Sequence, residues 1–123
     1  MPSRNAIGLR LSELAILITA HAWSQPVEWA IHAPIALREG ICADTIAAIE
    51  QGRRPAALPD DEAVVYDFCT ELHHHRAVSD ATWQRAIDRF GEHGTVDLIG
   101  INGYYTLLAM VMNAARTPVP APR

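Results

Sequence analysis

The sequence contains no lysine. All ten of its basic side chains are arginine, spread along the chain as Arg4, Arg10, Arg38, Arg53, Arg54, Arg76, Arg85, Arg89 and onwards. With 14 acidic residues the formal charge is −4. No clustered positive face is available for phosphates, which excludes nucleic acid as a partner. Cysteine is almost as scarce. Cys42 and Cys69 lie 27 positions apart and form no C-x-x-C. Two are too few for a disulfide framework or a zinc site, so both are expected as reduced, buried thiols in a cytoplasmic protein. The sequence also lacks a glycine-rich phosphate loop, a G-x-S-x-G and a dinucleotide fingerprint. No apolar run approaches the ~20 residues that cross a bilayer, so no membrane is expected. Residues 14–20 form a run that is apolar but for Thr19, and Ala20-His21-Ala22 has a small-x-small pattern. However, Arg10 and Glu13 interrupt the approach and the pattern continues into a helical period, so no signal peptide is expected.

What is abundant is alanine, twenty residues of it, within a chain of 123 that is half hydrophobic. That composition favours helix and supports one domain with a buried core. Punctuation by proline and glycine predicts an all-α bundle of about six helices over residues 1–116, followed by an extended Pro-rich tail at 117–123. Ser3 caps a first helix reaching Trp23. A second starts at Pro26 and runs to Glu39, with Gly40 ending it, and a third covers 43–51. Pro59 and three acids open a fourth that runs to His75. Ser79-Asp80 caps a fifth that stops before Gly91, and Thr95 caps a sixth that reaches Ala115. The sixth is apolar almost all round and must be buried on more than one side; six short helices offer limited cover for a central helix, which predicts a homo-oligomer, a dimer, trimer or hexamer.

Three residues draw attention for chemistry. Glu13 falls on the apolar stripe of the first helix beside Leu9, Ile16, Leu17 and Ala20, whereas Ser12 and Thr19 mark the edge expected to face water. A carboxylate among apolar neighbours is costly unless paired or used. An arginine partner, a neighbouring helix end or a catalytic task would each satisfy it. Glu28 and His32 share a face at i and i+4, either as a solvated surface pair or as a carboxylate that tunes a proton-transferring imidazole. Pro34 within the same helix predicts a kink near His32. His73, His74 and His75 suit a helix C-terminus. Glu71 with His74 has E-x-x-H spacing but no second copy, so no metal is expected.

The run Leu11-Ser12-Glu13-Leu14-Ala15-Ile16-Leu17, then Glu28-Trp29-x-x-His32-x-Pro34 and Gly40, resembles the carboxymuconolactone decarboxylase family. Val78-Ser79-Asp80-Ala81-Thr82-Trp83 and Gly103-Tyr104-Tyr105 extend the likeness over nearly the whole chain. The resemblance implies an alkylhydroperoxidase-like helical fold. The family's peroxidase branch has Glu, eleven residues, C-x-x-C, three residues, His. Counted from Glu13, the cysteine positions hold Gln25 and Glu28 while His32 remains, so a thiol mechanism is disfavoured. Larger members carry a helical segment before the core helix, and this sequence reaches that helix almost at once.

The resemblance therefore implies a cofactor-independent decarboxylase, or a related lyase or isomerase, acting on a small unsaturated lactone or carboxylic acid. Glu13, Glu28 and His32 would be catalytic, and His21, Trp29 and Tyr105 would contact substrate. Alkylhydroperoxidase-like antioxidant activity is the disfavoured alternative, and a non-catalytic small-molecule-binding member is the other. The turn Ser24-Gln25-Pro26 is short, so the first two helices must be antiparallel neighbours, which predicts that Glu13 and His32 meet.

Overall fold

The computed structural model describes residues 6–120 and, among them, contains helices and no strand. Five helices follow in order: α1 Leu9–Ala22, α2 Pro26–Arg38, α3 Ala43–Glu50, α4 Asp60–His75 and α5 Asp80–Ala115. The cap expected at Ser3 lies outside the described residues. Instead, the residue preceding α1 is Gly8 at φ 88°.

α1 is the centre of the molecule. Ten consecutive residues, Leu11 to Ala20, are buried, because α2, α3, α4 and α5 all pack on this one helix. The expected water-facing edge is therefore wrong: Ser12 and Thr19 are inside. They are tolerated there because each hydroxyl donates one turn back, Ser12 to the Gly8 carbonyl at 2.7 Å and Thr19 to that of Ala15 at 2.9 Å. Around α1 the core is completed by Val65, Phe68, Ala86, Leu98 and Ile101, all at most 1 % exposed.

α2 begins with the Gln25 side chain accepting from the backbone N–H groups of Val27 (2.6 Å) and Glu28 (3.2 Å), and Pro26 follows in the first turn. The helix continues through Pro34 to Arg38. α4 starts after Pro59 with Asp60, Asp61 and Glu62 in its first turn. There Arg10 of α1 bridges the carboxylates of Asp61 and Glu62. Burial raises the Asp61 carboxyl's proton affinity, but the Arg10 hydrogen bond and charge outweigh it and hold the group below its ordinary range. Ser79 caps α5 as expected, accepting from the Thr82 N–H at 3.2 Å.

The break expected before Gly91 is present: its φ 73°, ψ 177° is non-helical, and α5 is two helical segments joined across a kink there. The expected cap is not. Thr95 does not cap; it lies inside the helix and its hydroxyl donates to the Gly91 carbonyl at 2.8 Å. The new helical segment thus starts directly after the glycine. Nor is this helix central. Leu98, Ile101, Asn102 and Ala109 are buried, whereas Val96, Leu107, Met110 and Val111 are at least half exposed. By length and apolar composition α5 also meets the requirement for a membrane span, with a mean hydropathy of 1.3 over its best 18-residue window. The expectation that no segment approaches that requirement is corrected accordingly.

Candidate functional site

The antiparallel α1–α2 hairpin brings Glu13 and His32 together. His32 Nδ1 lies 2.7 Å from Oε2 of Glu13. On the other side of the ring, Nε2 lies 3.1 Å from Oε2 of Glu28. The second contact is short in distance but poorly aligned, and Glu28 Oε2 is a fully buried oxygen without a hydrogen bond. The side chains of Glu13, Glu28 and His32 retain only 7 %, 9 % and 13 % of their exposure. Neither a solvated surface pair nor an arginine partner for Glu13 describes this arrangement. The acid in the apolar stripe of α1 is partnered by the imidazole of α2.

A neutral imidazole has one N–H and one lone pair, and an ionised carboxylate can only accept. With a carboxylate at each ring nitrogen, two ionised acids are compatible only with a doubly protonated ring. Burial pushes His32 towards the neutral form, but the hydrogen bond and charge of Glu13, followed by the charge of Glu28, overcome it. The His32 pKa is raised above its ordinary value. Tyr105 of α5 closes the cluster, its ring meeting the His32 ring edge to face at 5.5 Å and 84°. Burial and then the charges of Glu13 and Glu28 raise the Tyr105 pKa and keep its hydroxyl protonated.

The three expected substrate contacts divide into two places. Tyr105 belongs to the cluster. Exposed His21 and half-buried Trp29 instead line a cleft of about 320 Å³ with Ser24, Gln25, Pro26 and Glu50. Glu13, Glu28, His32 and Tyr105 do not line this cleft.

Sequence reasoning missed a second polar group. His73 Nε2 lies 3.0 Å from the Thr19 hydroxyl and 2.9 Å from Oδ1 of Asn102. The Asn102 amide donates to the Leu98 carbonyl (2.8 Å) and to the Cys69 sulfur (3.2 Å). Because Asn102 Nδ2 is committed to donating, its Oδ1 must accept, and His73 carries its proton on Nε2. Burial lowers the His73 pKa. All three histidines lie in the last turn of α4, as expected, and half-buried His73 additionally joins α1, α4 and α5. Threonine and asparagine at helical spacing on otherwise apolar stripes were the available signal.

Gln25 was also missed. Besides capping α2, its amide donates to Asn113 Oδ1 at 2.8 Å, and Asn113 donates to the Trp23 carbonyl at 2.8 Å. The turn before α2 is thereby fastened to α5. Cys42 is exposed, against expectation, and Cys69 is buried. Burial pushes the Cys69 thiol up to about 12, which removes it as a nucleophile near neutral pH. Among the described residues no group of three His, Cys, Asp or Glu side chains is arranged to hold a metal ion.

Compared with family models, with curated proteins and with solved structures, the chain matches none.

Proposed function

We propose that the chain is a cofactor-independent acid–base enzyme, a decarboxylase or related lyase or isomerase, acting on a small unsaturated lactone or carboxylic acid. One observation carries the reading: a nearly buried imidazole with a buried carboxylate at each ring nitrogen, Glu13 Oε2 at 2.7 Å and Glu28 Oε2 at 3.1 Å. An imidazole placed between two carboxylates can take up a proton on one side and release it on the other, which suits a proton-transfer site. The resemblance to the carboxymuconolactone decarboxylase family, and with it an alkylhydroperoxidase-like fold, supports the same reading.

In the proposed reaction the substrate carboxylate leaves as CO₂. The electron pair of the broken C–C bond passes into the unsaturated lactone, giving a dienolate. His32, protonated and oriented by Glu13, delivers one proton to carbon, and a proton from solvent restores it, so one carboxylate and one proton become one C–H bond and one CO₂. Glu28 faces the opposite nitrogen and receives or returns the proton there. The Tyr105 hydroxyl, kept protonated, is a donor for the developing oxyanion. In this reading the assembly is a homo-oligomer of a cytoplasmic protein.

The test is CO₂ release from a panel of unsaturated lactone acids. Turnover is expected for the native chain, with His32→Ala and Glu13→Gln each losing ~10²-fold or more. Unchanged rates in both variants would remove these residues from the mechanism. A second reading, ligand binding without turnover, rests on the cleft lined by His21 and Trp29. Calorimetric binding that is lost in Trp29→Ala, without CO₂ release from any acid of the panel, would favour it.

A further inference from the structure

The second half of α5 presents a face that the chain itself does not use. Residues 98–115 contain no charged side chain. On the side turned away from the core, Val96, Gly100, Gly103, Leu107, Met110 and Ala114 are all exposed. Their spacing alternates between four and three residues, the seam of a two-stranded helical pair. The glycines are the informative members. Glycine is a poor helix former, yet a methyl group added to Gly100 or Gly103 would meet nothing within 4 Å. Among the described residues no close contact accounts for the missing side chains at these two of six seam positions.

We infer that this seam pairs, antiparallel and two-fold symmetric, with the same seam of a second copy of the chain. Antiparallel seams pair alternate positions whose residue numbers have a constant sum. A sum of 210 sets Gly100 against the partner's Met110, Gly103 against the partner's Leu107 and Ala114 against the partner's Val96. Each layer then joins a small residue to a large one, and the glycines become the holes that receive Met110 and Leu107. Sliding by a heptad in either direction breaks this match: sums of 203 and 217 place Gly100 on Gly103 or Leu107 on Met110. A parallel pair would stack glycine on glycine and leave voids.

Charge selects the same arrangement. The uncharged stretch is flanked by Glu92 and Asp97 at its start and by Arg116 at its end. In the antiparallel register each Arg116 reaches the level of the partner's Gly94, between the partner's Glu92 and Asp97. A parallel pair would instead bring like charges together. A lipid surface is the other occupant that an apolar helix suggests. Lipid has no use for alternating small and large residues, and the opposite face of this helix is already committed to the core through Leu98, Ile101 and Asn102.

Light scattering on the full chain at ~10–100 μM tests the pairing. Twice the 13.5 kDa of one chain is expected for the native protein, and a helical monomer for Leu107→Glu. Gly103→Leu improves helix propensity in open space but fills the hole for the partner's Leu107, so it should raise the dissociation constant at least tenfold. Adding Leu107→Gly to it exchanges the small and large partners and should restore the dimer. A native chain that stays monomeric would overturn the proposal. So would a dimer indifferent to both Leu107→Glu and Gly103→Leu, or a monomer that binds phosphatidylcholine–phosphatidylglycerol vesicles through this face.

Discussion

His32 and His73 occupy opposite electrostatic situations. His32 lies between two acids and its pKa is raised, whereas burial, with a smaller push from the charge of His74, lowers that of His73. For His32 the folded state binds its proton more tightly than the unfolded chain, so its contribution to stability is complete below ~6.5 and is lost as pH rises through the raised value. For His73 the sign reverses. Between its lowered pKa and ~6.5 the unfolded chain takes up a proton that the folded one refuses, so stability falls as pH drops through that window. Urea unfolding should therefore show His32→Gln costing more at about pH 5 than at about pH 9, and His73→Gln the reverse. If His32 is the proton donor, the basic limb of the rate profile lies above the ordinary imidazole range, and Glu13→Gln moves it down. Thiol chemistry predicts something different again. Replacing Cys42 and Cys69 together by alanine should leave turnover within a few-fold of native, since one thiol is pushed up to about 12 and neither belongs to the cluster. The Glu13–His32 pair was legible because a carboxylate in an apolar stripe demands a partner and the short turn places α2 opposite. The His73–Thr19–Asn102 group was not, because each member has an ordinary surface explanation when read alone.

Glycine and proline gave most helix boundaries, and they misled only where a residue could play two parts. Thr95 reads as a cap from its neighbours, but Gly91 had already taken the break and left threonine free to hydrogen-bond within the helix. The glycines of α5 consequently differ in what they tolerate. Gly91 sits at φ 73°, ψ 177° with open space around it, so backbone conformation alone forbids a side chain. Gly91→Ala should cost about 1–3 kcal/mol in urea unfolding. Gly100 has equal space but lies inside the helix. In the Leu107→Glu background, where no partner competes for the seam, Gly100→Ala should stabilise by about 0.8–1.0 kcal/mol. Opposite signs at two equally uncrowded glycines would separate backbone strain from contact, and equal signs would contradict the kink at Gly91.

Which helix occupies the centre could not be read from apolar content, because α1 and the last helical segment are both apolar on more than one side. Geometry decides it. α1 has 14 residues and a length of about 21 Å, short enough for four neighbours to cover. The segment after Gly91 runs about 36 Å at 1.5 Å per residue, comparable with the whole width of a chain whose radius of gyration is roughly 14 Å. The remaining helices cover one side of it and leave its seam exposed, the face proposed above to receive a second copy. That has a thermodynamic consequence separate from mass in solution. If folding and pairing are coupled, the folded state contains two chains and the unfolded state one, so mass action stabilises the dimer by about 1.4 kcal/mol for each tenfold rise in concentration. For roughly 250 residues unfolding together this corresponds to about 3 °C in the thermal midpoint. Calorimetry over two decades of concentration should show the native midpoint rising by that amount per decade. Leu107→Glu, which breaks the seam without touching α1, should have a lower midpoint that does not depend on concentration. A native midpoint that is also independent of concentration would mean that the core around α1 holds the fold alone, with the α5 seam adding nothing to it.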